Sequence, residues 1–188
     1  VYSRTKAEGE RALLRQFKTA VILRPSVVFG PGDSFFNRFG QMAMIAPALP
    51  LIGGGTNKMQ PVFVGDVADA VMTILDPNFS GDQFFELGGP KVYTFKELME
   101  LTLKAVARKR LLLPVPFAVM SLPAFFAGFL PSPPVTLDQL TLLKTDNICS
   151  AKASGFAELG IDPRAAEMIV GEYLAPFRPG GRFAAQKS

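Results

Sequence analysis

Residues 20–39, AVILRPSVVFGPGDSFFNRF, are the stretch that most narrows what this chain can fold into. Val21, Ile22 and Leu23 form an all-apolar run, which reads as a strand buried on both faces. Pro25 denies a sheet one donor, so regular pairing is expected to end near Arg24. Val27, Val28 and Phe29 carry the chain on in extended form to Gly30-Pro31-Gly32, a turn in which two glycines permit conformations closed to other residues. Asp33 or Ser34 can cap a helix beginning at Phe35. A buried strand that runs past its sheet into a glycine turn and a capped helix is where open α/β folds place ligands.

The flanking segments support an α/β fold. Residues 2–17 read as a helix rich in Ala, Glu, Arg and Leu, with Leu13, Leu14 and Phe17 along an apolar edge. The helix from Phe35 is expected to bury Phe36, Phe39 and Ala43 and to stop at Pro47. Residues 49–52 and 59–64 read as two extended segments joined through Gly53-Gly54-Gly55 as a hairpin or substrate-loop turn. A phosphate-loop reading of those glycines is weaker, because no Lys-Ser/Thr and no helix follow them. Asp66 is expected to cap a helix over residues 67–75. Residues 83–87 read as a strand closed by Gly88-Gly89-Pro90. Thr94 and Glu97 form a capping box for a helix presenting Leu98, Leu101, Thr102 and Ala105 on one face. Two further helices are expected, over residues 137–144 and over residues 164–174, the latter with Asp162 as cap and Pro163 at its first position. Residues 176–188 read as a flexible tail.

Composition excludes several functions. Twenty Lys plus Arg against sixteen Asp plus Glu leave a net charge of only +4, with the basic residues scattered except at Arg108-Lys109-Arg110. That is too thin for a nucleic-acid footprint. One cysteine, Cys149, and no histidine leave no disulfide framework and no zinc or His-based site, so no metal is expected. A reducing, cytoplasmic compartment follows as the default. The chain opens on Val1 rather than Met, and its strand signals, roughly five, are few for a complete doubly wound sheet, so a part of a longer protein is expected.

Chemistry must therefore come from Tyr, Lys, Ser or carboxylates. Tyr2 and Lys6 lie four apart on one helical face. An ammonium beside a phenol favours the phenolate and lowers a tyrosine pKa from ~10 toward a range useful for proton transfer. The same spacing can equally be an inconsequential surface pair. Arg24, beside the apolar run, could contact a cofactor or substrate, or be satisfied by carboxylates. Asp66 and Asp69 read as cap and helix surface rather than as acid and base.

Taken in order, the Tyr2-x-x-x-Lys6 helix, the strand ending in Arg24-Pro25, Gly30-Pro31-Gly32, and Gln60-Pro61-Val62-Phe63-Val64-Gly65-Asp66-Val67-Ala68 resemble the extended short-chain dehydrogenase/reductase superfamily, of the NAD-dependent epimerase/dehydratase kind. Phe84 to Gly89, followed by the Thr94-to-Glu97 box, resembles that superfamily's next strand-helix pair. Phe35-Phe36-Asn37-Arg38-Phe39, Pro50-Leu51-Ile52-Gly53-Gly54-Gly55, Tyr173-Leu174 and Phe177-Arg178-Pro179-Gly180-Gly181 look like the nucleotide-binding accessory subunits of respiratory complex I and their bacterial relatives.

The resemblance implies the C-terminal part of a Rossmann-like doubly wound parallel sheet plus a smaller α/β substrate domain. Residues 1–34 would end the Rossmann-like domain, residues 35–175 would form mainly the substrate-type domain with residues 59–75 returning to the Rossmann part, and the tail would follow. It implies NADP or NAD as cofactor, with Tyr2 as proton donor, Lys6 on the nicotinamide ribose, and Pro25, Ser26, Val27 and Val28 walling the nicotinamide. The superfamily's phosphate-binding glycine loop and catalytic Ser/Thr precede the Tyr helix and are absent from this chain, so the chain by itself is expected to be inactive and to bind neither nucleotide. The implied function is an NADP(H)-binding accessory or assembly subunit of NADH:ubiquinone oxidoreductase, peripheral at the inner face of a membrane. The alternative is a catalytic reductase, epimerase or dehydratase acting on a small sugar-nucleotide or carbonyl substrate.

Residues 111–137 contain no charged residue and six prolines. The longest helical part within residues 111–130 would rise to roughly 20 Å, short of a bilayer core of ~30 Å, so it is not expected to span. It reads as a buried cap on the substrate domain, slightly ahead of a surface that touches lipid or membrane subunits of complex I through Phe117, Phe125, Phe126 and Phe129.

Overall fold

The first helix, α1 (Tyr2–Gln16), and the strand after it, β1 (Ile22–Pro25), are tied together at two levels. Near the end of α1, the carbonyl of Lys18 accepts from Gln83 Nε2, and the Gln83 carbonyl in turn accepts from Ile22 N at 2.8 Å. Midway along α1, Glu10 takes the guanidinium of Arg24 through Nε at 3.0 Å and Nη2 at 2.6 Å. The end of the helix therefore lies beside the start of the strand, and α1 runs antiparallel to β1. The computed structural model describes residues 2–119 and 143–181; the helix expected over residues 137–144, and Phe125, Phe126 and Phe129, lie outside or largely outside them.

Further along come β2 (Val28–Phe29), α2 (Phe36–Ile45), β3 (Ala48–Ile52), β4 (Lys58–Met59), β5 (Val62–Phe63) and α3 (Val64–Ile74). They are followed by β6 (Phe84–Leu87), β7 (Tyr93–Thr94), α4 (Phe95–Ala105), β8 (Leu111–Val115) and α5 (Ala166–Tyr173). Three strand pairs are parallel, β1 with β6, β2 with β5 and β3 with β8; β4 with β7 is antiparallel. Parallel pairing requires crossovers, and the intervening helices supply them.

Two apolar clusters result. One gathers Val62, Ala70, Phe85, Leu87, Phe156 and Leu159 around β5, α3 and β6. The larger gathers Phe29, Phe36, Leu49, Phe95, Leu98, Met99 and Val170 among α2, α4 and α5. Phe35, Phe36, Phe39 and Phe95 meet edge to face with ring centroids 5.1–5.9 Å apart, the geometry aromatic quadrupoles favour.

Several expectations hold. The Thr94–Glu97 capping box is complete, with Glu97 N donating to Thr94 Oγ1 and Thr94 N donating to Glu97 Oε2. The Gly30-Pro31-Gly32-Asp33 turn closes through Asp33 N to the Gly30 carbonyl at 3.0 Å, with Gly32 at a φ of 82°.

Others are corrected. The run at Val21 to Leu23 is not buried on both faces: only Ile22 is buried, and Arg24 and Pro25 are exposed, because Arg24 turns outward to its carboxylates. Residues 49–52 and 59–64 do not form a hairpin. Gly53, Gly54 and Gly55 all take positive φ, at 63°, 77° and 72°, and coil into a 3₁₀ turn. β3 then pairs with β8, a strand concealed by Pro114 and by the prolines that follow it, and β4 pairs with β7. Asp66 is not an N-cap, since α3 starts two residues earlier at Val64 and places Asp66 in its first turn. The last helix begins at Ala166 rather than Arg164, because Arg164 N donates to Asp66 Oδ2 at 2.8 Å instead of entering a helix.

Candidate functional site

Parallel strands that end together leave their carboxyl ends as an edge at which backbone groups and loop side chains converge. β1 and β6 end in register at Pro25 and Leu87, and Ser26 N continues the ladder by donating to the Leu87 carbonyl at 2.9 Å. Beside them Val62 N donates to the Val27 carbonyl at 3.0 Å, so residues 25–28 are held by β5 and β6 together. Ser26 and Val27 are half-buried, and Pro25 and Val28 are exposed.

A polar network fills this edge. Ser26 Oγ lies 3.0 Å from both the carbonyl and Oδ1 of Asn147. Gln60 bridges two loops, its Nε2 donating to the Gly89 carbonyl at 2.8 Å and its Oε1 accepting from Cys149 N at 3.0 Å. Ser150 N donates to Glu86 Oε2 at 2.7 Å. Gly89 is required here by close approach, since a Cβ would stand 2.1 Å from the Pro61 carbonyl oxygen. Burial raises the Cys149 thiol above its ordinary value, with Glu86 adding to the effect, so this cysteine stays protonated.

Tyr2 and Lys6 occupy the N-terminal part of α1, and Lys6 is exposed. Because α1 runs antiparallel to β1, and Lys6 precedes Glu10 by four residues on the same helical stripe, Lys6 lies toward the carboxyl end of β1 from the Glu10–Arg24 pair. At ~1.5 Å per residue Lys6 is roughly 6 Å from Glu10 along the helix axis. Arg24 is settled by carboxylates: beyond Glu10, its Nη1 lies 3.9 Å from Glu86, and its guanidinium covers the Phe84 ring at 5.0 Å. The hydrogen bond from Arg24 holds the Glu10 carboxyl below its ordinary value. A cavity of about 260 Å³ next to Arg24, lined by Asp82, Phe84, Glu86, Lys152 and Ser154, mixes both charge signs and offers no anion cradle. The glycines at 53–55 open into β4 rather than a helix, so they form none either.

Sequence reasoning missed Gln60 and Asn147 as members of this edge. Ser26 and Asn147 are 121 positions apart, and no local pattern links them. It also read Asp66 as a cap, whereas this carboxylate is buried at 1% exposure and takes Arg164 Nε at 2.6 Å. Among the described residues no group of His, Cys, Asp and Glu could hold a metal ion, and no helix is long and apolar enough to cross a membrane.

Residues 1–88 match the sequence model of the NAD dependent epimerase/dehydratase family. Across 95% of its length the chain is 36% identical to the mitochondrial NADH dehydrogenase [ubiquinone] 1 alpha subcomplex subunit 9 of Arabidopsis thaliana, covering 47% of that protein. The subunit of the same name from Mus musculus is 30% identical over 93% of the chain and is likewise covered to 47%. The chain thus spans about half the length of the curated relatives it matches. Among solved structures, the dTDP-glucose 4,6-dehydratase of Bacillus anthracis, in complex with NAD, superposes with a TM-score of 0.65 at 19% identity, over 92% of this chain and 50% of the other. The parallel strand pairs and crossover helices described above are the α/β, Rossmann-type fold of such enzymes.

Proposed function

We propose that this chain, which belongs through residues 1–88 to the NAD dependent epimerase/dehydratase family, supplies the nicotinamide-side wall and the substrate-type domain of an NAD(P)-binding accessory subunit of NADH:ubiquinone oxidoreductase. The observation that carries the reading is the bidentate Glu10–Arg24 pair, which fastens the Tyr2/Lys6 stripe of α1 alongside the strand leading into Pro25 to Val28. The likeness to complex I subunits supports the choice of assembly.

The residues present suit one end of a dinucleotide. Pro25 to Val28 lie at the carboxyl edge of parallel strands, with Ser26 and the backbone of Gly88 and Gly89 beside them, where a flat ring can be held without a charged cradle. In this reading Lys6 holds the ribose hydroxyls and Tyr2 is the proton donor. The bound cofactor would supply hydride chemistry or serve as a structural brace. Residues 1–34 and 59–75 belong to the nucleotide-binding part, and residues 35–175 mainly to the second part.

A membrane-side position accompanies the assignment. Leu111 and Leu113 of β8, exposed at 69% and 50%, alternate onto one face of that strand, and the exposed Ile45, at 85%, ends α2 just before β3; with Lys109 before β8, such a composition suits a membrane subunit or an anionic bilayer. Flotation with anionic liposomes that survives Ile45→Ser, Leu111→Ser and Leu113→Ser together would dispose of this contact.

The decisive experiment is nucleotide analysis of the full-length protein. NADPH or NADH is expected to copurify and to be retained on dilution, with assembly of the complex unaffected by Tyr2→Phe. A second reading, a catalytic reductase, epimerase or dehydratase, rests on the retained Tyr2-x-x-x-Lys6 spacing. Turnover of a nucleotide sugar or carbonyl compound that Tyr2→Phe abolishes would replace the accessory role with this one.

A further inference from the structure

Both ends of α5 are fastened by phenol-to-carboxylate hydrogen bonds, and the loops they fasten are the two that leave the candidate edge. At its start, Glu167 accepts from Lys91 Nζ at 2.9 Å and from the Tyr93 hydroxyl. At its end, the Tyr173 hydroxyl donates to Asp33 Oδ2 at 2.5 Å. Lys91 and Tyr93 follow β6 and its Gly88-Gly89 turn; Asp33 closes the glycine turn that follows β2. The partners are 74 and 140 positions apart in the chain, so nothing but the tertiary fold sets these bonds.

The Asp33 carboxylate gathers further donors. It accepts from Gly30 N at 3.3 Å, Phe35 N at 2.8 Å and Asn37 N at 3.2 Å as well as from Tyr173. One side chain thus joins the turn after residues 25–29, the first turn of α2 and the end of α5. The helix itself is anchored independently. Ala166 and Val170 are buried, and Arg178 links the Gly171 carbonyl at 2.7 Å to the Ala105 carbonyl of α4 at 2.8 Å. A fixed helix that reaches both loops through directional bonds controls their spacing.

We propose that α5 is a strap that holds the two loops at the carboxyl edge in register for the nicotinamide end of a dinucleotide, with Tyr173 and Tyr93 as positioning residues. The inference rests on the dinucleotide reading above. It does not require either phenol to touch the ligand. Phenylalanine fills the same space, so replacing these tyrosines removes the bonds and leaves the packing.

The test uses the full-length protein, unaltered and as Tyr173→Phe and Tyr93→Phe, titrated with NADPH and with 2′-phospho-ADP-ribose, which keeps the adenosine and phosphates and lacks nicotinamide. NADH and ADP-ribose form the parallel pair. One lost neutral-to-charged hydrogen bond at a coupled site predicts roughly a fivefold loss of affinity for NADPH. The fluorescence lifetime of bound NADPH is expected to shorten as the ring gains freedom, while the ligand without nicotinamide binds unchanged. Equal losses on both ligands, or no loss in either variant, would overturn the strap and leave the dinucleotide reading intact. Binding of neither ligand by the unaltered protein would overturn both. Far-UV circular dichroism identifies a variant that fails to fold, in which case the other tyrosine decides.

Discussion

Replacing Arg164 with alanine should destabilise this protein more than most exposed-residue changes do. The Arg164 side chain is 42% exposed, but its Nε meets Asp66 Oδ1 at 2.6 Å, and Asp66 is 1% exposed. The same guanidinium lies over the Phe63 ring at 4.6 Å and reaches Asp69 at 3.1 Å. In Arg164→Ala the backbone N–H still serves one Asp66 oxygen, while the other loses a charge-assisted bond inside the fold. Breaking a buried pair costs about 3–5 kcal/mol. Partial exposure of the arginine discounts that toward roughly 2–4 kcal/mol, and at ~2–4 °C per kcal/mol for a chain of this size a Tm loss of about 4–16 °C follows. The chain has no tryptophan, so urea and thermal unfolding are followed by far-UV circular dichroism. Asp69 is 61% exposed, and Asp69→Ala should change stability by less than about 0.5 kcal/mol. Asp66→Asn combined with Arg164→Ala removes the stranded charge and should be no worse than Arg164→Ala alone. A loss below about 1 kcal/mol for Arg164→Ala, or strict additivity in the double variant, would refute the argument.

Two further predictions follow from single side chains. Thr94→Ala should cost about 1 kcal/mol through the capping box. Hydrogen bonds from Thr94, first from its backbone N–H and then from its hydroxyl, hold the Glu97 carboxyl below its ordinary 4.5, so its contribution is present above that pH and is lost as pH falls through the lowered folded value. The gap between Thr94→Ala and the unaltered protein in urea unfolding should therefore narrow between about pH 7 and pH 3; a constant gap would count against the coupling. Tyr93 and Tyr173 have pKa values raised well above the ordinary 10, first by burial and then by hydrogen bonds to Glu167 and Asp33. Their stabilisation is full below pH 10 and is lost as pH rises through the folded values, so in an alkaline titration their phenolate absorbance should appear only with unfolding. Reversible ionisation of all three tyrosines near pH 10 in folded protein would contradict this.

Local chemistry was legible in the sequence wherever neighbours in the chain decide it. The Thr94–Glu97 box, the Gly30–Asp33 turn, the strand over residues 84–87 and the four-residue spacing of Tyr2 and Lys6 along α1 depend on residues a few positions apart, whose propensities and periodicities act before any packing. The same holds for the exclusion of His-based and disulfide chemistry, which composition alone settles. Tertiary structure decided which strands pair and which carboxylates are spent. β3 looked like half of a hairpin until β8 took its edge, and Asp66 looked like a cap until Arg164, 98 positions away, reached it. Ser26 found Asn147 and Tyr173 found Asp33 across similar gaps. Such contacts are chosen by the packing of helices and strands around the two apolar clusters, and a one-dimensional pattern records that an apolar face exists, not which polar group its burial will bring within hydrogen-bonding distance of another.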